Sequence, residues 1–201
     1  MIRRWTGCKK VGHAGTLDPM ATGVLVVCTG KSTKQVSSLM GLEKVYEGVI
    51  ELGKATDTDD LEGRVISEKE VPDLSVSDIE AVLNQYRGQI DQVPPRYSAL
   101  KKNGKRLYQL ARQGIHVEIQ PRKVMIYDLT LLDWQFPCLY IRVRCGKGTY
   151  IRALARDIGQ QLGTGGYLKQ LRRIRIGQFH VDKAWSLDQF KTLITEDESI
   201  S

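Results

Sequence analysis

The sequence predicts an α+β fold with a mixed, mostly antiparallel central sheet flanked by helices and loops. Alternating apolar and polar residues, which indicate strands, are interspersed with apolar residues at helical spacing. These patterns do not follow the regular strand–helix–strand order that builds a parallel sheet. The 201 residues are 41% hydrophobic, which is enough to bury a core, and no internal repeat or low-complexity linker divides them.

The first third of the chain is predicted to contain three strands and one short helix. Residues 20–28 end in the apolar run Gly23-Val-Leu-Val-Val-Cys28, which predicts a buried strand. Residues 32–39 have the pattern of a short helix, and Lys44–Leu52 alternates as a strand does. A polar loop then leads to a shorter strand around Arg64 to Ser67.

The middle of the chain combines a capped helix with an extended segment and a basic segment. Ser75–Tyr86 has apolar residues at helical spacing, a serine at the N-cap position and Gly88 beyond its end. The two prolines of residues 93–97 require extended backbone. Lys101–Arg112 is strongly basic, and taken alone its interspersed leucines and tyrosine favour a solvated amphipathic helix.

The last third of the chain is predicted to contain a strand pair, further helices and one more strand. Residues 123–134 and 138–145 predict paired strands, and Ile151–Leu162 predicts a helix. Tyr167–Arg173 is also predicted to be helical. The remaining predictions are a strand over Arg175–Val181 and a short helix capped by Ser186.

The charge balance favours a polyanionic partner. Lysine and arginine total 30 against 23 acidic residues, for a net charge of +7 and a pI near 9.2. Nucleic acid is the first candidate for such a partner. The alternative is an ordinary, mildly basic protein, because many proteins have a surplus of this size.

The cysteines and histidines predict neither a zinc site nor a disulfide framework. No two cysteines have C-x-x-C spacing, and the three histidines are far apart. Neither a membrane-length apolar run nor the apolar region of a signal peptide is present, so we expect a reduced, cytoplasmic protein with no membrane association. Two of the four cysteines, Cys28 and Cys145, are predicted to be core residues.

The segment VGHAGTLDP, Val11–Pro19, carries one carboxylate in a loop of turn-forming residues. Asp18 is accompanied by Gly12, Gly15 and Pro19, and an apolar run follows it closely. A carboxylate on a stiff loop beside a buried strand is a common way to present an acid to a substrate. Taken alone, Asp before Pro favours an ordinary turn, and motifs farther along the chain reverse that preference.

A second acidic segment, Thr56–Asp60, is predicted to be a solvated loop. Its three aspartates suggest a cation site, but it lacks the glycine and the distal glutamate of a calcium loop. We therefore expect no metal ligand in this segment.

Four motifs together resemble one protein family over about residues 9–190. They are VGHAGTLDP with Asp18, KVYEG at Lys44–Gly48, GKGTYIRALARD at Gly146–Asp157 and LRRIRIG at Leu171–Gly177. In this order and spacing they resemble the TruB family of tRNA pseudouridine synthases. Three further segments fit the bacterial branch of that family: Arg96–Lys101, Gly104–Tyr108 and Ala111–Ile115.

The resemblance implies the pseudouridine synthase catalytic fold and a reaction. In that reaction the N1–C1′ bond of uridine breaks, the uracil turns while bound, and C5 joins C1′. Nothing is oxidised or hydrolysed overall, so no cofactor is chemically required. The implied substrate is uridine 55 in the T-loop of tRNA.

The resemblance also implies roles for individual residues of the site. Asp18 matches the catalytic aspartate, and Arg152 matches the arginine that pairs with it, since a guanidinium can hold a carboxylate with two hydrogen bonds. Tyr46 matches the tyrosine that stacks on the extruded base, and Leu171 matches an apolar residue packed against that base. Tyr150 is expected to share a face with Arg152 if the preceding strand continues that far.

Three chemical routes remain open at this point: attack on C1′, attack on C6, and proton abstraction to form a glycal. All three begin from the same ionised carboxylate.

The resemblance implies RNA contacts in three places. His13 matches a histidine that enters the space left by the extruded base. The basic segment belongs to an RNA-gripping insertion at about 96–123, and a second basic strip is expected in the LRRIRIG motif. The basic residues assigned to RNA binding are Lys101, Lys102, Lys105, Arg106, Arg112, Arg172 and Arg173.

Two departures from the family pattern lead to the domain prediction. The chain opens without the Lys-Pro-x-Gly-x-Ser/Thr strand and loop of the family, and no PUA-like domain fits after Phe190. We therefore expect one catalytic domain over residues 1–201, acting on tRNA as a monomer without an obligatory protein partner. The alternatives are a catalytically impaired T-loop RNA-binding module and an RNA-guided enzyme within a protein–RNA particle.

Overall fold

A computed structural model describes residues 1–98, 100–102, 104–115 and 117–198, except for the side chains of residues 101, 102 and 196–198. Two short 3-10 helices lie at Gly30–Gln35 and Val181–Lys183. The α-helices are α1 (Ile2–Thr6), α2 (Val36–Gly41), α3 (Val76–Gln85), α4 (Leu107–Arg112), α5 (Ile151–Gln161) and α6 (Leu187–Glu198). The strands are β1 (Val11–His13), β2 (Thr22–Gly23), β3 (Val27–Thr29), β4 (Lys44–Leu52), β5 (Lys54–Thr56), β6 (Val65–Glu68), β7 (Gly88–Gln92), β8 (Lys101–Lys102), β9 (Lys105–Arg106), β10 (Arg122–Gln135), β11 (Cys138–Cys145), β12 (Gly166–Ile176) and β13 (Phe179–His180).

A seven-stranded sheet forms the centre of the fold. Six of its strands lie in the order β13-β12-β4-β11-β10-β7, and β2 pairs with β12. The pairs between these strands are antiparallel, except that β2 and β12 are parallel. The predicted α+β class with a mixed, mostly antiparallel sheet is confirmed.

The main core lies between this sheet and the helices α3 and α5. Ile50, Ile141 and Leu168 from three strands and Leu154 and Ile158 from α5 are completely buried. Each such side chain contributes about 1.5–3 kcal/mol to stability by leaving water. Because the same core includes residues at the start of α5 and in the middle of β12, both elements hold fixed positions beside the cavity described below.

Most of the predicted elements are confirmed. The strand over Lys44–Leu52, the pair β10 and β11, and the helices α3 and α5 lie close to their predicted positions. The predicted N-cap of α3 is present, since the Ser75 side chain accepts a hydrogen bond from the Asp78 amide. The hydroxyl of Ser186 likewise accepts a hydrogen bond of 3.2 Å from the Gln189 amide at the start of α6.

The predicted helix over Tyr167–Arg173 is wrong, because these residues lie in β12. The register between β12 and β4 shifts between Leu168 and Gln170. This irregularity interrupts the two-residue alternation of a strand, so that buried Leu168 and Leu171 are separated as they would be on one face of a helix.

Three other predictions require correction at turns. Residues 20–28 form the short strands β2 and β3, with exposed Leu25 between them, instead of one buried strand. The basic segment first forms the hairpin β8–β9, so its helix, α4, covers only Leu107–Arg112. The predicted strand over Arg175–Val181 is interrupted at Gly177, where φ is +51°.

Within the described ranges, no helix combines the length and the apolar character needed to cross a membrane. In the same part of the chain, no group of three or more His, Cys, Asp or Glu side chains is arranged to hold a metal ion.

Candidate active site

Asp18 lies in the loop that connects β1 to β2. The Ala21 amide donates a hydrogen bond of 2.9 Å to the Asp18 carbonyl, and the Ala14 amide donates one of 2.9 Å to the Val26 carbonyl. The first bond closes a turn at Asp18, and the second joins the two sides of the loop, in agreement with the pairing of β1 with β3. The Asp18 side chain is 33% exposed, so its carboxylate is accessible from outside the protein.

Arg152 lies in the first turn of α5 and forms a two-point ion pair with Asp18. Its Nε donates to Asp18 Oδ2 at 3.0 Å, and its Nη2 donates to Asp18 Oδ1 at 3.1 Å. The Arg152 side chain is only 6% exposed. A buried two-point pair of this kind is stronger and more specific in geometry than a single contact.

All five N–H groups of the Arg152 guanidinium have acceptors. Besides the two bonds to Asp18, Nη1 donates to the Thr58 carbonyl at 3.0 Å and Nη2 to the Tyr97 carbonyl at 3.1 Å. The fifth contact joins Nη1 to Asp60 Oδ2 at 3.1 Å. The orientation of the guanidinium is therefore set from three separate segments before any substrate binds.

Asp60 corrects the prediction that Thr56–Asp60 is a solvated loop. The Asp60 residue is 2% exposed, and its Oδ1 accepts hydrogen bonds from the Thr58 hydroxyl at 2.5 Å and from the Glu62 amide at 3.0 Å. The acidic composition of the segment indicated solvent, but Arg152 provides the charge that makes burial of this carboxylate tolerable. Sequence reasoning missed Asp60 because its partner is distant along the chain.

The ion pair opens onto a cavity of about 700 Å³. Tyr46 reaches it from β4, Leu171 from β12, and Tyr150 from the residue before α5. Asp18 and Arg152 also line this cavity. The predicted ion pair and the three residues predicted to form the base pocket therefore meet at one place, which has the size of a small-ligand site.

Tyr150 is held in place by residues that the sequence did not single out. Its amide donates a hydrogen bond of 2.9 Å to Gln92 Oε1, and Gln92 Nε2 donates one of 3.0 Å back to the Tyr150 carbonyl. Gln92 itself is completely buried. The Arg122 guanidinium lies 4.6 Å from the centre of the Tyr150 ring and donates to the Gly148 carbonyl. The predicted reason for Tyr150 facing the cavity was wrong, because the strand ends at Cys145 and Tyr150 is the N-cap of α5.

Burial raises the pKa of the Tyr46 phenol above its ordinary value. The Arg173 guanidinium acts to lower this pKa, but the effect of burial is larger. The ring therefore enters the cavity as a neutral, apolar surface with one hydroxyl group.

The residues predicted to contact RNA are placed differently from one another. His13 is exposed at the end of β1 and does not line the cavity. Lys105, Arg106 and Arg112 are exposed, and both arginines lie within 6 Å of the Tyr108 ring centre, at 5.9 and 5.7 Å. The side chains of Lys101 and Lys102 are outside the described part of the chain.

Arg172 and Arg173 are neighbours on β12 with opposite environments. Arg172 is exposed, whereas Arg173 is 1% exposed. The prediction that Arg173 forms an exposed phosphate contact is therefore wrong in its premise, because alternation along the strand points this side chain into the protein.

Asp59, next to Asp60 in the chain, is a carboxyl group whose pKa is raised by its surroundings. Burial raises the pKa of Asp59 to about 6, although the Arg156 guanidinium, at 2.9 Å, acts in the opposite direction. Asp59 also has a left-handed backbone, with φ of +62°, a conformation that asparagine tolerates as well. A substitution of this residue by asparagine therefore tests the charge with little change in the backbone.

We expect the stability of Asp59→Asn to exceed that of the wild type progressively as the pH rises from 4 to 7. The folded protein holds the Asp59 proton more tightly than the unfolded chain, so ionisation of this group between its ordinary value of 3.8 and about 6 disfavours the folded state. The relative change is on the order of 3 kcal/mol at about 1.4 kcal/mol per pKa unit. Urea unfolding at pH 4 and pH 7 measures it, with the exposed Asp73→Asn as control. If the wild type instead became more stable relative to the variant as the pH rises, the raised pKa of Asp59 would be contradicted.

Two protein-family models match the chain. Residues 3–151 match the model described as TruB family pseudouridylate synthase (N terminal domain). Residues 152–200 match the model of the tRNA pseudouridylate synthase B C-terminal domain. The ion pair thus joins Asp18 from the first matched region to Arg152, the first residue of the second.

Curated relatives with closely similar sequences are named tRNA pseudouridine synthase B. One from Francisella philomiragia is 49% identical over 194 residues, which cover 96% of this chain and 64% of the relative. Another from Chromohalobacter salexigens is 51% identical over 181 residues, which cover 90% of this chain and 59% of the relative. The chain therefore spans about three fifths of the length of these relatives.

Solved structures with the same fold extend the comparison. A chain of a Cbf5-Nop10-Gar1 complex superimposes with a TM-score of 0.73 at 26% identity, over all of this chain and 51% of its own length. A chain of an H/ACA RNP bound to a substrate RNA containing 2′-deoxyuridine gives a TM-score of 0.71 at 25% identity, over all of this chain and 50% of its own.

Proposed function

The chain belongs to the TruB family of pseudouridylate synthases, and on that premise we propose that it isomerises uridine to pseudouridine in RNA, with uridine 55 in the T-loop of tRNA as its target. The observation that carries this proposal is the two-point Asp18–Arg152 ion pair at a cavity lined by Tyr46, Tyr150 and Leu171. This reaction needs an ionised acid, a cation held in place beside it, and aromatic side chains that line the cavity.

The ion pair orients Asp18 and leaves part of its carboxylate free to react. A carboxylate has about four acceptor positions, and the guanidinium of Arg152 occupies two of them. The partial exposure of the Asp18 side chain leaves room for a nucleobase beside the other two. Because Arg152 is already oriented by Thr58, Asp60 and Tyr97, the carboxylate needs no large rearrangement when the substrate enters.

The reaction that we propose is balanced without a cofactor. The N1–C1′ bond breaks, the uracil turns in the cavity and a C5–C1′ bond forms. The hydrogen on C5 leaves as a proton and N1 gains one, so the product is an isomer of the substrate. The three routes by which Asp18 could act, at C1′, at C6 or on a proton, share the ionised starting state.

The walls of the cavity suit a base removed from its stack. Extrusion of a base from a folded RNA costs a few kcal/mol, and stacking on an aromatic side chain returns about 1–3 kcal/mol. In our proposal the Tyr46 ring supplies this surface, Leu171 packs against the other side of the base, and Tyr150 closes the pocket. His13 and the exposed cations Lys105, Arg106, Arg112 and Arg172 contact the surrounding RNA, as do Lys101 and Lys102.

The test is conversion of one uridine in a T-stem-loop hairpin by the purified chain alone. Pseudouridine is detected by carbodiimide labelling and primer extension, and a hairpin with cytidine at the target position is the control. We expect product at the target uridine. Binding of the hairpin without product would support the alternative of an impaired RNA-binding module.

Product that forms only after guide RNA and protein partners are added would replace the proposed stand-alone activity. That outcome would mean that the chain works within an assembly. One of its structural relatives is part of such an assembly, a Cbf5-Nop10-Gar1 complex. Our proposal is a monomer that acts on tRNA in the cytoplasm without a protein partner, and size-exclusion chromatography of the active sample tests the oligomeric state.

A further inference from the structure

Arg173 is a buried cation that the proposed chemistry does not use. Its residue is 1% exposed, and among the described residues it forms no ion pair. Burial of an uncompensated guanidinium is unfavourable unless its N–H groups find acceptors. The acceptors that it does find therefore indicate what this residue is for.

The Arg173 side chain bonds to both ends of the loop that carries Asp18. Its Nη2 donates to the Gly15 carbonyl at 3.1 Å, before Asp18 in the chain. Its Nε donates to the Val24 carbonyl at 2.8 Å, after Asp18 in the chain. One planar, rigid group thus joins the entrance and the exit of the loop, a geometry that the single ammonium group of lysine does not reproduce.

The Arg173 backbone holds the same loop from the sheet. Gly23 pairs with Arg173 where β2 runs parallel to β12, and the Val24 amide donates to the Arg173 carbonyl at 2.9 Å. A Cβ on Gly23 would lie 2.2 Å from that carbonyl oxygen, and the φ of Gly23 is +102°. This close approach therefore requires glycine at position 23.

Arg173 also contacts the opposite wall of the cavity. It is the cross-strand partner of Tyr46 in the antiparallel pair of β12 with β4, and its positive charge acts to lower the pKa of the Tyr46 phenol, against the larger effect of burial. Both residues line the same cavity as Asp18. The guanidinium is thus connected to the loop of the reacting acid and to the ring that we propose stacks on the base.

We propose that Arg173 is a positioning residue that clamps the Asp18 loop to the sheet and sets the distance between Asp18 and Tyr46. This inference rests on the proposed function for its consequence in catalysis, but the clamp itself is a property of the folded protein. Reactions that depend on the orientation of groups lose about 10²-fold in rate when a group is displaced by about 1 Å.

The clamp can be tested without any activity. Hydrogen–deuterium exchange is followed in wild type, Arg173→Lys and Arg173→Met, each first shown to be folded by circular dichroism. We expect faster exchange at the amides of Ala21 and Val24 in both variants and unchanged exchange in β10 and β11. The exposed Arg142→Met, on strand β11 of the same sheet, is the matched control. Unchanged protection of the loop amides in both variants would overturn the proposal. If Arg173→Met does not fold, the comparison of wild type with Arg173→Lys decides the question.

The catalytic consequence is tested by separating RNA affinity from the rate of conversion. With protein in saturating excess over the T-loop hairpin, we expect Arg173→Lys and Arg173→Met to lower the rate by about 10²-fold while the Kd changes less than about threefold. A weaker Kd with an unchanged saturating rate would instead make Arg173 an RNA contact and overturn the proposal. If the wild type forms no product, the proposed function fails, whereas the exchange experiment still decides whether the clamp exists.

Discussion

Asp18→Asn is expected to lower the single-turnover rate of pseudouridine formation by about 10⁴-fold or more, the scale of effect seen when the reacting group of an enzyme is removed. Asparagine has nearly the same shape as aspartate but no charge, so it can neither add to carbon nor take a proton. Arg152 keeps its other acceptors, including the buried Asp60 carboxylate, and the fold should persist. The rate is measured by carbodiimide mapping of the T-loop hairpin with protein in excess.

The matched control for this variant is Asp91→Asn, which removes an exposed carboxylate on β7. It should convert the hairpin at the wild-type rate. Asp18→Asn should bind the hairpin with a Kd within a few fold of the wild type, because the RNA contacts that we propose lie outside the ion pair. A variant that retains a tenth or more of the wild-type rate would exclude Asp18 as the reacting acid.

Arg152→Met is expected to lower the free energy of unfolding at pH 7 by about 3–5 kcal/mol, the effect of removing one partner of a buried ion pair. Methionine fills much of the same space but leaves the Asp60 carboxylate, 3% exposed, without its cation. The carbonyls of Thr58 and Tyr97 lose donors as well. Urea unfolding measures the loss, and the single-turnover assay should show no product because Asp18 is no longer oriented.

Two further measurements separate this effect from simple loss of packing. The double variant Asp60→Asn, Arg152→Met should be more stable than Arg152→Met at pH 7. Arg142→Met breaks an exposed pair with Glu47 and should change stability by about 1 kcal/mol or less. Equal losses in Arg142→Met and Arg152→Met would show that burial of the pair has no special effect.

The sequence alone predicted the elements whose patterns are local. The alternation in Lys44–Leu52 and in β10 and β11, and the serine that caps α3, depend on residues that are close along the chain. The five pocket residues were likewise identified by the motifs that contain them, and the structure brings them to one cavity. Their roles in the reaction stay predictions until the variants above are measured.

Only the tertiary structure decided which charges are buried and what they bind. Asp60 resembled a solvated acid and Arg173 an exposed cation, and both are almost completely buried. Their acceptors and donors come from segments far away in the chain: Arg152 for Asp60, and Gly15 and Val24 for Arg173. The β12 strand was mistaken for a helix for a related reason, since its register is set by β4 and β2. A sequence specifies the groups that a residue can offer, but burial and hydrogen-bond partners arise only when distant segments pack together, because both depend on the distances between those segments.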